Sequence, residues 1–121
     1  MTTMRVDFND NEVSLLNFQE QVIISFRLGA GNVFVQGKVN AVNNDGDFQN
    51  YTARLTYRDG SVELDRADVR ISGGGTQTVS LSSWITDVTA NDIVDLRCGT
   101  YNGITRKARL TTLDVDTFEP H

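Results

Sequence analysis

The sequence predicts an all-β chain: an antiparallel β-sandwich with seven to nine strands. Three observations predict it. Apolar residues recur at every second position in short runs, the period of a strand with one buried face. Clusters of Gly, Asn and Asp interrupt those runs at roughly the 8–12-residue spacing of a sandwich or barrel. No long segment repeats apolar residues at i, i+3 and i+4, so the crossover helices of a parallel βαβ fold are missing.

Residues 1–12 are polar and read as an N-terminal arm, leaving 13–121 as a single sandwich domain. Val22, Ile24, Phe26 and Leu28 alternate with Ile23, Ser25 and Arg27, which predicts a first strand. Gly29 to Asn32 turn the chain. Val33, Val35, Gly37, Val39 and Ala41 then share an inner face, with Phe34, Gln36, Lys38 and Asn40 opposite. Asn43-Asn44-Asp45-Gly46-Asp47 is dense turn chemistry. Tyr51, Ala53, Leu55 and Tyr57 form the next inner face, and Asp59-Gly60 predicts a hairpin to Val62 and Leu64. Val69 and Ile71 lead to Gly73-Gly74-Gly75, read as a flexible link. Val79 and Leu81 continue toward Trp84 and Ile85, and Asp87 to Asp92 read as a polar corner or a short helical turn. Val94, Leu96 and Cys98 alternate again, and Asn102-Gly103 is a second hairpin signal. Ala108 and Leu110 open the last strand; a phase slip to Leu113 and Val115 predicts a bulge between them.

Composition narrows the function. The chain has 121 residues and is 39% hydrophobic, enough for one core, and no apolar run approaches the ~20 residues of a membrane span. Net charge is −5, from 16 acidic and 11 basic residues, which argues against non-specific nucleic-acid binding. Met1 to Asp7 lack the basic and apolar regions of a secretory signal, so the chain is expected either not to use that route or to have lost its signal. The lone Cys98 forms no intramolecular disulfide and reads as a small buried hydrophobe.

Catalytic chemistry finds little support. The only histidine is His121 at the chain end, poorly placed for a Ser–His–Asp or Cys–His arrangement, and structural zinc lacks ligands. Glu12, Glu20, Glu63 and Glu119 sit in no recognisable motif for paired-carboxylate hydrolysis. No enzyme activity and no cofactor are expected. Calcium is the one metal to weigh: Asn44, Asp45 and Asp47 gather oxygens in one loop, as do Asp87, Asn91 and Asp92, but the EF-hand spacing is not met. Gly73-Gly74-Gly75 lacks the lysine of a phosphate loop.

The candidate binding residues are aromatic: Phe34, Tyr57, Trp84 and Tyr101. Exposed, they would form a stacking platform for sugar rings. A lone Trp in a small sandwich reads first as a core plug, although Trp84 lies where it could reach the surface. Phe34 faces away from the valines of its strand, beside Gln36 and Lys38, which points to contact with a partner, a neighbouring subunit or the arm.

From Gly31 to Val115 the chain runs Gly-Asn-Val-Phe-Val-Gln-Gly-Lys-Val, Ala-Arg-Leu, Thr-Val-Ser-Leu, Ala-Asn-Asp-Ile-Val-Asp-Leu-Arg-Cys and Ala-Arg-Leu-Thr-Thr-Leu-Asp-Val. This order resembles the small jelly-roll or immunoglobulin-like sandwich modules of bacteriophage virion proteins, tail or capsid-decoration components, and of some actinobacterial proteins. The resemblance implies a non-enzymatic structural module of a virion, assembled in the host cytoplasm with protein partners, as a homo-oligomer such as a trimer. The alternative is a carbohydrate- or ligand-binding module, secreted or at the cell surface if a signal has been removed. The motifs are core and turn positions, so they specify architecture more than function.

Overall fold

The computed structural model describes residues 2–115. Its strands are β1 (Thr2–Asn9), β2 (Val13–Leu16), β3 (Gln21–Arg27), β4 (Gly31–Asn43), β5 (Gln49–Tyr57), β6 (Val62–Ile71), β7 (Thr76–Val88), β8 (Ile93–Gly99) and β9 (Asn102–Val115). One sheet has the order β1-β9-β4-β7, with β2 also on β9; the other is β3-β8-β5-β6, and all pairs are antiparallel. β1 and β2 lie in line along the same edge of β9, so they act as one broken strand. The first strand then pairs with the last, β3 with β8, β4 with β7 and β5 with β6. That nested pairing is the jelly roll, and it decides between the two sandwich topologies the alternation left open.

Between the sheets, Val33, Val35, Val39 and Ala41 of β4 meet Tyr51, Ala53 and Leu55 of β5 and Val94, Leu96 and Cys98 of β8 in one apolar cluster. Gly37 leaves room there for Leu96, whose Cδ1 would lie 3.1 Å from an added Cβ. The expected inner faces of β4 and β5 are the buried ones.

Five local readings change. The arm expected at residues 1–12 carries strand β1, paired with β9 along its length. In β3 a bulge at Ile23 shifts the register, so Ile23 is buried and Val22 is exposed. The bulge in β9 lies earlier than the phase slip implied, at Lys107 with φ 52°, so Ala108, Leu110 and Thr112 face inward and Leu113 faces out. Asn102-Gly103 is no hairpin turn, because β8 and β9 belong to different sheets; Gly103 instead opens β9 against the carbonyl of Val42.

The expected flexible link at Gly73-Gly74-Gly75 is a fixed turn. A Cβ on Gly73 would stand 2.2 Å from the carbonyl oxygen of Gly46, so only glycine lets the two loops touch backbone to backbone. Asn43 locks this end of the sandwich. Its Nδ2 donates to the carbonyls of Asp47 (2.8 Å), Ile71 (2.9 Å) and Ser72 (3.1 Å), and its Oδ1 accepts from the Asp45 N–H and the Gln49 amide. Gln49 passes the network on to Thr100 and Asn102.

Cys98 is buried, as its alternation predicts. Burial pushes its thiol from 9.0 up to about 11, only partly offset by hydrogen bonds with Tyr51 and Thr105. Burial also raises the Tyr51 hydroxyl, whose partner is Thr105. Both groups hold their protons more tightly folded than unfolded. The stability contributed by Cys98 is therefore complete below pH 9.0 and is lost as the pH rises through about 11. Urea unfolding across that window is expected to lose about 2–3 kcal/mol, and Cys98→Ala to remove the early part of the loss. An unchanged alkaline profile in Cys98→Ala would disprove the coupling.

Candidate functional site

The outer face of the five-stranded sheet carries the feature that local patterning does not reveal. Strand register puts Met4 opposite Leu113, Leu113 opposite Phe34 and Phe34 opposite Trp84. Directly paired residues share a face, so these four form one apolar row across β1, β9, β4 and β7, about 14 Å long at the usual strand spacing. Met4 is 67% and Trp84 59% exposed, while Phe34 and Leu113 are half-buried. The Phe34 and Trp84 rings pack at 5.2 Å with a 49° tilt.

Two further rows lie beside it. Val6, Thr111, Gln36 and Ser82 form the second, and Phe8, Arg109, Lys38 and Ser80 the third. The Arg109 guanidinium sits 5.2 Å from the exposed Phe8 ring. The three rows carry two cations and no acid on a chain of net charge −5, so the acidic surplus lies elsewhere.

The outer face of the four-stranded sheet pairs its acids with arginines. There Arg54 Nε sits 3.2 Å from Glu20 and 3.3 Å from Glu63, and Arg66 pairs with Asp68 at 3.0 Å. Arg97 binds Asp95 through Nε (2.8 Å) and Nη2 (3.0 Å) and faces Asp59 at 3.6 Å. Gly60, at φ 85°, lies against this guanidinium, and a Cβ there would come within 2.8 Å of Cζ.

The aromatic candidates therefore separate. Phe34 and Trp84 form one pair, and Trp84 is a surface ring rather than a core plug, because β7 turns its even-numbered positions outward at that point. Tyr101 lies at the far end of the sheet, in the turn before β9, packed 5.7 Å from Phe18. Tyr57 is buried, its hydroxyl donating to Asp92 at 2.7 Å, so its ring offers no platform. Met4, Phe8 and Leu113 join the candidates; a phase slip after Leu110 would turn Leu113 inward, whereas the bulge at Lys107 turns it out.

Two backbone carbonyls of the Asn44–Asp47 loop are committed. The Asp45 carbonyl accepts from the Gly74 N–H, and the Asp47 carbonyl from Asn43. Among the described residues no three His, Cys, Asp or Glu side chains converge on a possible metal position. Asp92 accepts from Tyr57 and faces Arg58 at 3.6 Å in an open cleft of about 300 Å³, which Asp59, Asn91 and Ile93 also line.

No family model matches the chain, and no curated protein does. Solved structures do match. A structure of infectious bursal disease virus, Gx strain, superposes at TM-score 0.66 with 10% identity, over 98% of this chain and 35% of that one. T=1 particles derived from the same virus give 0.63 at 10% identity, over 93% and 32%. A Bacillus endospore appendage, from a family of disulfide-linked pili, gives 0.56 at 11% identity, over 97% of this chain and 92% of that one. The chain thus spans about a third of the viral chains and nearly all of the appendage chain. At such identities the likeness establishes the fold, a jelly-roll sandwich shared with proteins of viral particles and of a bacterial appendage.

Proposed function

We propose that this chain is a non-enzymatic assembly module that packs against copies of itself, in a virion as a capsid-decoration or tail protein, or in an extracellular appendage. The observation that carries the reading is the row Met4–Leu113–Phe34–Trp84. Exposed aromatic and Met side chains aligned across a sheet are interface anchors. Charge favours another copy as the occupant: three rows with Lys38 and Arg109 and no acid complement exposed acids that a chain of net charge −5 carries elsewhere, such as Asp47 and Asp87. A contact between two different faces is heterologous, so it propagates into rings, shells or filaments.

Trp84 is the only tryptophan, so its fluorescence reports the interface directly. Wild type is expected to associate with rising concentration, calcium or not, with a blue shift of emission. Trp84→Ser is expected to weaken association about 30-fold, the ~2 kcal/mol of a central anchor. A wild type that stays monomeric by light scattering, with emission independent of concentration, would defeat the reading. The tilted Phe34–Trp84 pair beside Gln36 and Lys38 supports a second reading, a glycan-binding module; a monomer that binds a glycan and loses it in Trp84→Ser would decide for it.

A further inference from the structure

The strand β1 belongs to the sheet but not to the core. Among the described residues, the buried apolar cluster begins at Leu15 in β2 and takes nothing from Met4 to Asn9. Met4 is 67% and Phe8 56% exposed, and Arg5 and Asp7 are exposed too. What holds β1 is its backbone ladder to Ala108–Val115, supplemented by the Arg109–Phe8 contact and by three side-chain contacts to β3. Arg5 lies 4.2 Å from the centre of the Phe26 ring and donates to the Arg27 carbonyl at 3.4 Å; Asn9 Nδ2 donates to the Ile23 carbonyl at 3.0 Å.

The chain also breaks where an exchange would need it to. Asp10, Asn11 and Glu12 are exposed and separate β1 from β2. β2 is fixed by Leu15, which is fully buried. Across the edge, the ladder is interrupted at the same level by the bulge at Lys107. β1 can therefore leave without taking a residue out of the apolar core and without moving β2, baring the Phe26 ring beneath Arg5.

We infer that β1 is an exchangeable strand, and that in an assembly the β9 edge from Ala108 to Val115 takes β1 of a second copy. Every contact that holds β1 is made equally well by a strand from a neighbour, so exchange costs no contact. The vacated edge presents a row of free backbone donors and acceptors, a template for an incoming strand. High local concentration within an assembly then favours exchange over a detached strand. The inference rests on the assembly reading for the presence of a neighbour, but it uses a different surface, the sheet edge rather than its face.

Val6 and Thr111 are register partners, and either kind of antiparallel pair, at about 4.5 or 5.5 Å between Cα atoms, lies within disulfide reach. Full-length chains carrying Val6→Cys or Thr111→Cys, prepared separately and mixed at high concentration, are oxidised. Cys98 is fully buried and stays out of the reaction. The expected result is a disulfide-linked heterodimer about tenfold in excess of either homodimer, growing with concentration, where random collision gives about twofold. A statistical mixture would overturn the inference. So would a Val6→Cys/Thr111→Cys double variant that oxidises wholly to internally linked monomers at every concentration. Light scattering on wild type separates the two readings: an oligomer whose double variant links only internally removes exchange and keeps the face contact, and a monomer throughout removes both.

Discussion

Asn43→Ala is expected to cost about 3–5 kcal/mol, the sum of two or more buried polar groups left without partners. The side chain holds the carbonyls of Asp47, Ile71 and Ser72 and receives the N–H of Asp45 and the amide of Gln49. Without it, the loops after β4 and β6 lose their common anchor at the point where Gly46 and Gly73 touch. In a domain of this size the melting temperature falls by roughly 4 °C per kcal/mol, so a drop well beyond 10 °C is expected. Asn43→Asp gives the sharper test. Its second oxygen would face three carbonyl oxygens, so the folded state favours the protonated acid and raises its pKa. Stability is then near wild type below the unfolded carboxyl pKa of about 4 and is lost as pH rises through the folded value. An Asn43→Asp variant as stable as wild type at neutral pH would show that the network does not bear on the fold.

Asp95→Ala is expected to cost about 3 kcal/mol, the effect of removing one partner from a buried pair. Asp95 is 1% exposed and accepts from the Thr56 hydroxyl as well as from both Arg97 nitrogens. Arg97 lies beneath Gly60, so water reaches its freed guanidinium poorly. Asp59, on the open side of Arg97, is 85% exposed in its side chain, and Asp59→Ala is expected to cost well under about 1 kcal/mol. Equal midpoints for the two variants in urea would mean that Asp95 is effectively solvated.

The Asp95–Arg97 site also shows how the outer sheet faces differ. On the four-stranded sheet, charge pairs with charge within the molecule, through Arg54, Arg66 and Arg97. On the five-stranded sheet the apolar row is left open, with Lys38 and Arg109 beside it. The first face is closed on itself; the second has affinity to spare, which is the physical basis for reading it as the contact surface.

The sequence by itself determined the sandwich. Alternation in β4 and β5 marks the inner face residue by residue, because a strand's side chains switch sides at every position and water tolerates the wrong side poorly. It also determined Cys98 as buried and Phe34 as outward. Local pattern misread Val22, Ile23 and Leu113, since a single extra residue at a bulge reverses the face of everything after it, and bulges are set by the partner strand. It assigned no strand to residues 2–9 because β1 buries no described side chain and so needs no alternation. Only the tertiary structure decided the jelly roll over the immunoglobulin-like order, since nested pairing is a property of strand partners and not of strands. Only it aligned Met4, Leu113, Phe34 and Trp84, four residues scattered from one end of the chain to the other. Their common row exists because interstrand register, which no single segment encodes, fixes which residues stand side by side.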